Sequence, residues 1–217
     1  SPSFCAAKWL QVTLHLGTGT THSCHHPAPH EIPLEELKDN PSALHNTQFK
    51  KQQRKMMLEG ERPKECDYCW RVEDSKQDSA VYSDRITKSS EVWAAPHLDK
   101  ISTMPWDVDI NPTYLEVDFD TTCNFKCAYC SPSYSTTWMQ EIKKHGKMPD
   151  VNHHDCAIDW IENFEEENNP YIDAWWEWWP EVSKTLNILR ITGGEPLRHT
   201  TTWTLFAHIR HNPLPQL

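Results

Sequence analysis

The sequence predicts a mixed α/β fold: the opening of a parallel (β/α) barrel that ends after its second strand-helix unit, preceded by a small module of β-hairpin and helices. Three observations predict it. From Tyr114 to Thr121 the apolar Leu115, Val117 and Phe119 alternate with Glu116, Asp118 and Asp120, the period of a strand with one covered face. Leu186 to Ile191 is a second apolar run, with helical patterns before and after it. Near the start, Trp9 to Leu16 and Thr20 to His25 flank Gly17-Thr18-Gly19, which reads as a hairpin with Cys5 and Cys24 at its outer ends.

The remaining elements follow in chain order. Leu34 to Asp39 and Thr47 to Glu59 read as helices, the second rich in Lys, Arg and Gln, and Cys66-Asp-Tyr-Cys69 comes after them. Asp74 to Ser90 reads as a polar helix or tether. Glu91 to Pro112 carries Pro96, Pro105 and Pro112 and reads as irregular chain. The expected division is therefore a module over 1–73, a linker over 74–112 and the barrel segment over 113–217.

Within that last segment a helix is expected from Thr136 to Lys144. An irregular stretch with His153 and His154 runs from Lys147 to Cys156, and an acidic helix from Ala157 to Glu167. Glu162, Glu165, Glu166 and Glu167 form a solvated face on that helix, one able to attract a basic substrate. Trp175, Trp176, Trp178 and Trp179 stand just before Pro180 at helical spacing, a pattern of packing against the barrel wall more than of stacking on substrate. Thr202 to His211 closes the second unit, with Trp203, Phe206 and Ile209 on one face and Pro213 ending it. Helices cover the outside of a parallel barrel, so Glu116, Asp118 and Asp120 are expected to point into the lumen. Arg190 shares a face with Ile188 and Thr192 and is expected to meet Asp118 or Asp120 there.

Composition narrows the function. At 217 residues and 37% apolar the chain can bury one substantial core or two small ones. It has no apolar run of membrane-spanning length, and Ser1-Pro2-Ser3-Phe4 does not open a signal peptide, so a soluble, cytoplasmic protein with no membrane partner is expected. A net charge of −10 argues against nucleic acid as the main partner and suits a basic peptide or a small molecule. Eight cysteines grouped in close pairs and triplets fit metal binding in a reducing compartment better than disulfides. Six strand-helix units at roughly thirty residues each need about 180 residues. Fewer than 100 follow Cys123, so a fragment is expected.

The most specific pattern is Cys123-Asn-Phe-Lys-Cys127-Ala-Tyr-Cys130, a CxxxCxxC directly after the first barrel strand. Three thiolates can hold three irons of a four-iron, four-sulfur cube and leave the fourth open, whereas closed zinc or iron-sulfur sites take four protein ligands. A zinc knuckle or a disulfide cluster is the competing reading. Gly193-Gly194-Glu195-Pro196 follows the second strand; its glycines allow close backbone approach to a ligand and its carboxylate can accept from an amine.

Together and in this order, these two motifs resemble the signature of radical S-adenosylmethionine enzymes. The resemblance implies that Cys123, Cys127 and Cys130 hold the catalytic 4Fe-4S cluster and that its open iron is chelated by the methionine part of S-adenosylmethionine. It also implies that Gly193, Gly194, Glu195 and Pro196 form the GGEP turn and that Tyr129 packs near the adenine, where ordinary loop packing is the plain alternative. Cys5, Gly19, Cys24 and the later CxxC of Cys66 and Cys69 resemble the auxiliary-cluster segment of SPASM and twitch domains, although those domains generally follow the barrel. Four thiolates there make a closed second 4Fe-4S cluster, with zinc as the competing occupant. Cys66-Asp-Tyr-Cys69-Trp-Arg-Val-Glu and the Ser131 to Trp138 run extend the likeness to twitch-domain radical SAM proteins.

The function this implies is reductive cleavage of S-adenosylmethionine to methionine and a 5′-deoxyadenosyl radical that abstracts hydrogen from a peptide or protein substrate. An electron donor such as a flavodoxin or ferredoxin would be the redox partner. A noncatalytic zinc or iron-sulfur interaction module, or an inactive fragment of such an enzyme, are the alternatives. Cys156 reads as a buried free thiol, and His25-His26 and His153-His154 as surface histidines.

Overall fold

Five strands form one mixed sheet in the computed structural model, which describes residues 1–75, 81–148 and 168–217. They are β1 Gln11–His15, β2 Thr20–His22, β3 His30–Glu31, β4 Tyr114–Asp118 and β5 Ile188–Thr192. Their spatial order is β3-β2-β1-β4-β5, antiparallel from β3 to β1 and parallel from β1 through β4 to β5. The chain is thus mixed α/β. The hairpin does not stand apart from the later strands, because β1 lies along β4 with Gln11 opposite Tyr114 and His15 opposite Asp118.

Several boundaries differ from the sequence expectation, each for a packing reason. Trp9 and Leu10 belong to a helical turn, α1 Ala7–Leu10, and the strand starts only at Gln11. All of β1 is buried, so one-sided alternation could not mark its start. The second strand stops at His22 rather than His25, where the His22 ring meets the Cys24 carbonyl and turns the chain. Helix α2 Leu34–Leu37 and helix α3 Gln48–Leu58 match the expected helices closely, and Thr47 caps α3 by accepting from Lys50 N at 3.1 Å. After α4 Asp67–Asp74, the stretch read as tether and irregular chain contains α5 Asp84–Ser89 and α6 Leu98–Thr103. Buried Trp93 and Ile101 anchor that stretch and override its proline content.

Two apolar clusters result. One lies under the sheet, where Val12, Leu14, Leu115 and Val117 pack on α8 Pro170–Val182 through Trp175, Trp178 and Trp179. The tryptophans are therefore packing residues, with Trp175 and Trp179 ring centroids 5.1 Å apart. Asn169 caps α8 by accepting from Tyr171 N and Ile172 N at 2.9 and 3.3 Å. The other cluster joins Trp9, Leu10, Met57, Trp70, Trp93 and Ile101 around α1, α3 and α4.

Helix α7 Thr136–His145 begins where expected, and α9 Thr200–His211 begins two residues early. Its buried side carries Thr201, Thr202 and Leu205; Trp203, at 55% exposure, and Phe206 face outward edge to face, contrary to expectation. The orientation follows from His208, whose Nδ1 accepts from Trp179 Nε1 at 3.1 Å and turns that side of α9 onto α8. Cys156, His153, His154, the expected acidic helix and most of the irregular stretch before it lie outside the described residues. Among the described residues no helix is long and apolar enough to cross a membrane.

Candidate metal and cofactor site

The loop carrying Cys123, Cys127 and Cys130 leaves the carboxyl end of β4 and is fastened to the start of α7 by side chains. Asp120 accepts from the Thr122 amide and from Thr122 Oγ1, which shapes the exit from the strand. Cys123 N donates to Thr136 Oγ1 at 3.0 Å, and the Thr136 and Thr137 hydroxyls donate back to the Cys123 carbonyl. Ser135 Oγ donates to Phe125 O at 3.0 Å, and Trp138 Nε1 to Cys127 O at 3.0 Å. Phe125 N donates to Cys123 Sγ at 3.3 Å. Burial and then the neighbouring Cys123 and Cys127 push the Cys130 thiol up. Tyr129 lies at the open edge of this loop and is 87% exposed.

Gly193 and Gly194 bring the end of β5 against the same exit. A Cβ on Gly194 would lie 2.6 Å from the Thr121 carbonyl oxygen, and one on Gly193, at φ +110°, 2.6 Å from Asp118 Cβ. Gly194 N and Glu195 N donate to Asp120 O and Thr122 O at 3.2 and 2.9 Å. The close approach these glycines permit is thus to the chain entering the cysteine loop. The Glu195 carboxylate accepts from Leu197 N at 3.3 Å, and Pro196 opens the short helical turn that follows.

Between the loop and the sheet is a cavity of about 480 Å³, lined by Cys130, Tyr129, Tyr134, Gly193, Thr192, Glu116, Asp118, His15 and His22. Glu116 and Asp118 face it, on the side of the sheet away from Leu115 and Val117. Arg190 shares that side but meets Glu116 at 3.2 Å and Tyr114 Oη at 3.0 Å, not Asp118 or Asp120. The register explains the correction: Arg190 lies directly opposite Glu116, and Asp118 opposite Thr192. Asp118 is paired instead with His15 Nδ1, from the strand on its other flank.

His15 Nε2 lies 3.0 Å from His22 Nε2, and His22 Nδ1 bonds the Cys24 carbonyl. A carbonyl only accepts, so His22 carries its proton on Nδ1. Burial and the neighbouring His15 lower its pKa to about 4. His22 Nε2 then accepts from His15 Nε2–H, and His15 Nδ1 meets the Asp118 carboxyl. Burial raises the Asp118 carboxyl despite the His15 contact. One hydrogen-bonded chain thereby runs from the strand entering the cysteine loop to Cys24.

Cys24 is one of four thiols on a second, enclosed cavity; the others are Cys5, Cys66 and Cys69. Cys5 precedes α1, Cys24 follows β2, and Cys66 and Cys69 bracket the first turn of α4, so the fold collects what the chain holds far apart. All four are free thiols. Burial, with Cys24 and Cys66 nearby, pushes Cys5 up to about 12, and burial pushes Cys66 to about 11. Metal binding at this site would therefore release protons. As the side chains stand the cavity measures about 20 Å³, room for a single ion. A four-iron cube requires the thiols to turn outward. The donor set suits either occupant.

His25 and His26 adjoin this site, and both reach Asp84 Oδ2, at 3.3 and 2.9 Å. Lys88 Nζ donates to His25 Nδ1 at 3.1 Å, which leaves the His25 proton on Nε2, facing Asp84. The ligand atoms of His25, His26 and Asp84 lie within 4.8 Å of one another, a grouping that could also hold a metal ion. Sequence reasoning missed His15, His22, Ser135, Thr136, Thr137 and Trp138 as parts of the two sites. The Ser131 to Trp138 run stood out only as a resemblance, and nothing local marks His15, which acquires its partner across strands. Comparison of the chain with protein-family models, characterised proteins and solved structures finds no match.

Proposed function

We propose that this chain is a radical S-adenosylmethionine protein with an auxiliary metal centre, in which β4 and β5 are the first two strands of a (β/α) barrel. One observation carries the reading. The three-thiol loop and the Gly193-Gly194-Glu195-Pro196 turn meet at the carboxyl ends of two parallel strands, beside a cavity large enough for a ligand. Cys123, Cys127 and Cys130 would hold a 4Fe-4S cluster with one open iron, and Tyr129 and the GGEP turn would flank S-adenosylmethionine. When bound, that pair supplies methionine and a 5′-deoxyadenosyl radical able to take a hydrogen atom from a peptide or protein substrate, with a flavodoxin or ferredoxin as electron donor.

The chain's own residues bind and orient. Ser135, Thr136, Thr137 and Trp138 hold the thiol loop in shape, and Gly194 seats the second strand's turn against it. Glu116 and Asp118 give the cavity its acidic side, which suits a basic substrate group. The His15 and His22 pair ties that wall by hydrogen bonds to the Cys24 carbonyl beside the four-thiol site.

Zinc at Cys5, Cys24, Cys66 and Cys69 is the second reading, and the narrowness of that cavity favours it. Iron, acid-labile sulfide and zinc per chain, measured after anaerobic reconstitution, decide between them. About eight irons, falling to about four when Cys123, Cys127 and Cys130 are all changed to Ala, is the expected result. Four irons and one zinc leave the catalytic reading intact. Zinc at both sites with iron refused overturns it in favour of a noncatalytic metal-binding module.

A further inference from the structure

Lys8 and Lys50 are 3% and 1% exposed, and Arg54 is fully buried, all in the second apolar region behind the four thiols. Lys8 pairs with Glu65 and interacts with Cys66 and Cys24. Burial, then the neighbouring Arg54, holds Lys50 well below the usual lysine range, and its amine meets His45 Nδ1 at 3.2 Å. Arg54 donates to Lys8 O and Asn46 Oδ1, and the Asp109 carboxylate acts on it. Lys8 lines the four-thiol cavity, where a buried ammonium is costly unless negative centres lie close. Four thiolates on a metal supply such a centre. Ser23 is a second and independent sign: it lines the same cavity at 3% exposure, and its hydroxyl has no partner among the described residues. A buried hydroxyl without an acceptor, beside four sulfurs, is placed to donate to sulfur.

We propose that Lys8 and Ser23 are the counter-charge and hydrogen-bond donor of a redox-active iron-sulfur centre at Cys5, Cys24, Cys66 and Cys69, holding its reduction potential above that of the three-thiol centre. The inference rests on the iron-sulfur reading of the four-thiol site. A positive field and donors to sulfur stabilise the added electron and raise the potential. The three-thiol loop has the opposite surroundings, with Glu116 and Asp118 across its cavity and its one nearby lysine, Lys126, turned to Glu141 at 3.1 Å. At equilibrium a single electron therefore rests on the four-thiol centre.

Potentiometric titration followed by electron paramagnetic resonance tests this. The full chain should show two reduction steps, and the chain with Cys123, Cys127 and Cys130 changed to Ala should retain the higher one. In that background Lys8→Met should cut the ratio of reduced to oxidised centre at the parent midpoint about tenfold, a shift of ~59 mV for a one-electron couple. Lys8→Arg should restore it. Ser23→Ala should move the midpoint the same way by less, and Glu65→Gln should move it upward by freeing the Lys8 charge. If Lys8→Met does not fold, the Ser23 and Glu65 variants carry the test through their opposite signs. Midpoints that stay put in an iron-loaded protein, or retention of the lower step, overturn this inference alone. Zinc without sulfide at the site overturns the iron-sulfur reading and this inference with it.

Discussion

Cys123, Cys127 and Cys130 come from eight consecutive residues and stand beside an open cavity, whereas Cys5, Cys24, Cys66 and Cys69 come from three separate stretches and close around a narrow one. The first site is a loop bonded to a helix start, and its geometry is largely local. The second exists only when α1, the β1–β2 hairpin and α4 have assembled. A metal at the second site is therefore coupled to folding, and a ligand at the first is coupled to function.

The sharpest way to break that contrast is to remove one ligand from each site. Cys5→Ser should forfeit a large share of a metal-binding free energy on the order of 10 kcal/mol and lower the melting temperature markedly. Cys127→Ser should leave the melting temperature nearly unchanged while abolishing S-adenosylmethionine cleavage. Equal destabilisation by both would dissolve the distinction, and calorimetry of the two variants reads it directly.

A smaller effect should appear on chelation, as a pH dependence of opposite sign to ordinary acid denaturation. The folded, metal-free chain holds the Cys5 and Cys66 thiols at about 12 and about 11, above the value of 9.0 for an unhindered thiol. Their contribution is thus fully present below pH 9.0 and lost as pH rises toward 12, because the unfolded chain releases protons first. Denaturant melts with and without chelator should diverge across that window, by a few kcal/mol at most. Parallel curves would place the thiols in water.

Gly194→Ala acts on the open site alone. Its new methyl would meet the Thr121 carbonyl and should cost about 1–3 kcal/mol, with loss of cluster occupancy at Cys123, Cys127 and Cys130 and none at the other four cysteines. Metal content resolved by site gives the answer. Smallest of all, Thr136→Ala and Trp138→Phe each delete a bond to the cysteine loop worth about 1 kcal/mol. Faster hydrogen exchange confined to 123–130 is the expected readout, and exchange spreading to β4 would mean the loop is part of the core.

Much of this was legible before the structure. The alternation from Tyr114 to Asp120 marked β4 and its two faces, Thr47 marked the start of α3, and the tryptophans before Pro180 marked a packed helix. What failed were relations between elements. Arg190 was expected to meet Asp118 or Asp120 inside the barrel, but the register sets it opposite Glu116. Trp203 and Phe206 were expected inward because they are apolar, but the contact of His208 with Trp179 sets the buried side of α9. Each miss needed the identity of a neighbour, which no period along one segment contains.

By itself, then, the sequence determined the spacing of the three-thiol loop, the strands and helices around it and the existence of an apolar face for each. Those depend on residues within a few positions of one another, where backbone geometry leaves few choices. Only the tertiary structure decided that β1 would lie beside β4 and give Asp118 its histidine. It alone gathered four distant thiols onto one cavity with Lys8 and Ser23. Such contacts form when buried charge and apolar surface must be satisfied together, and the partner that satisfies them can lie a hundred residues away.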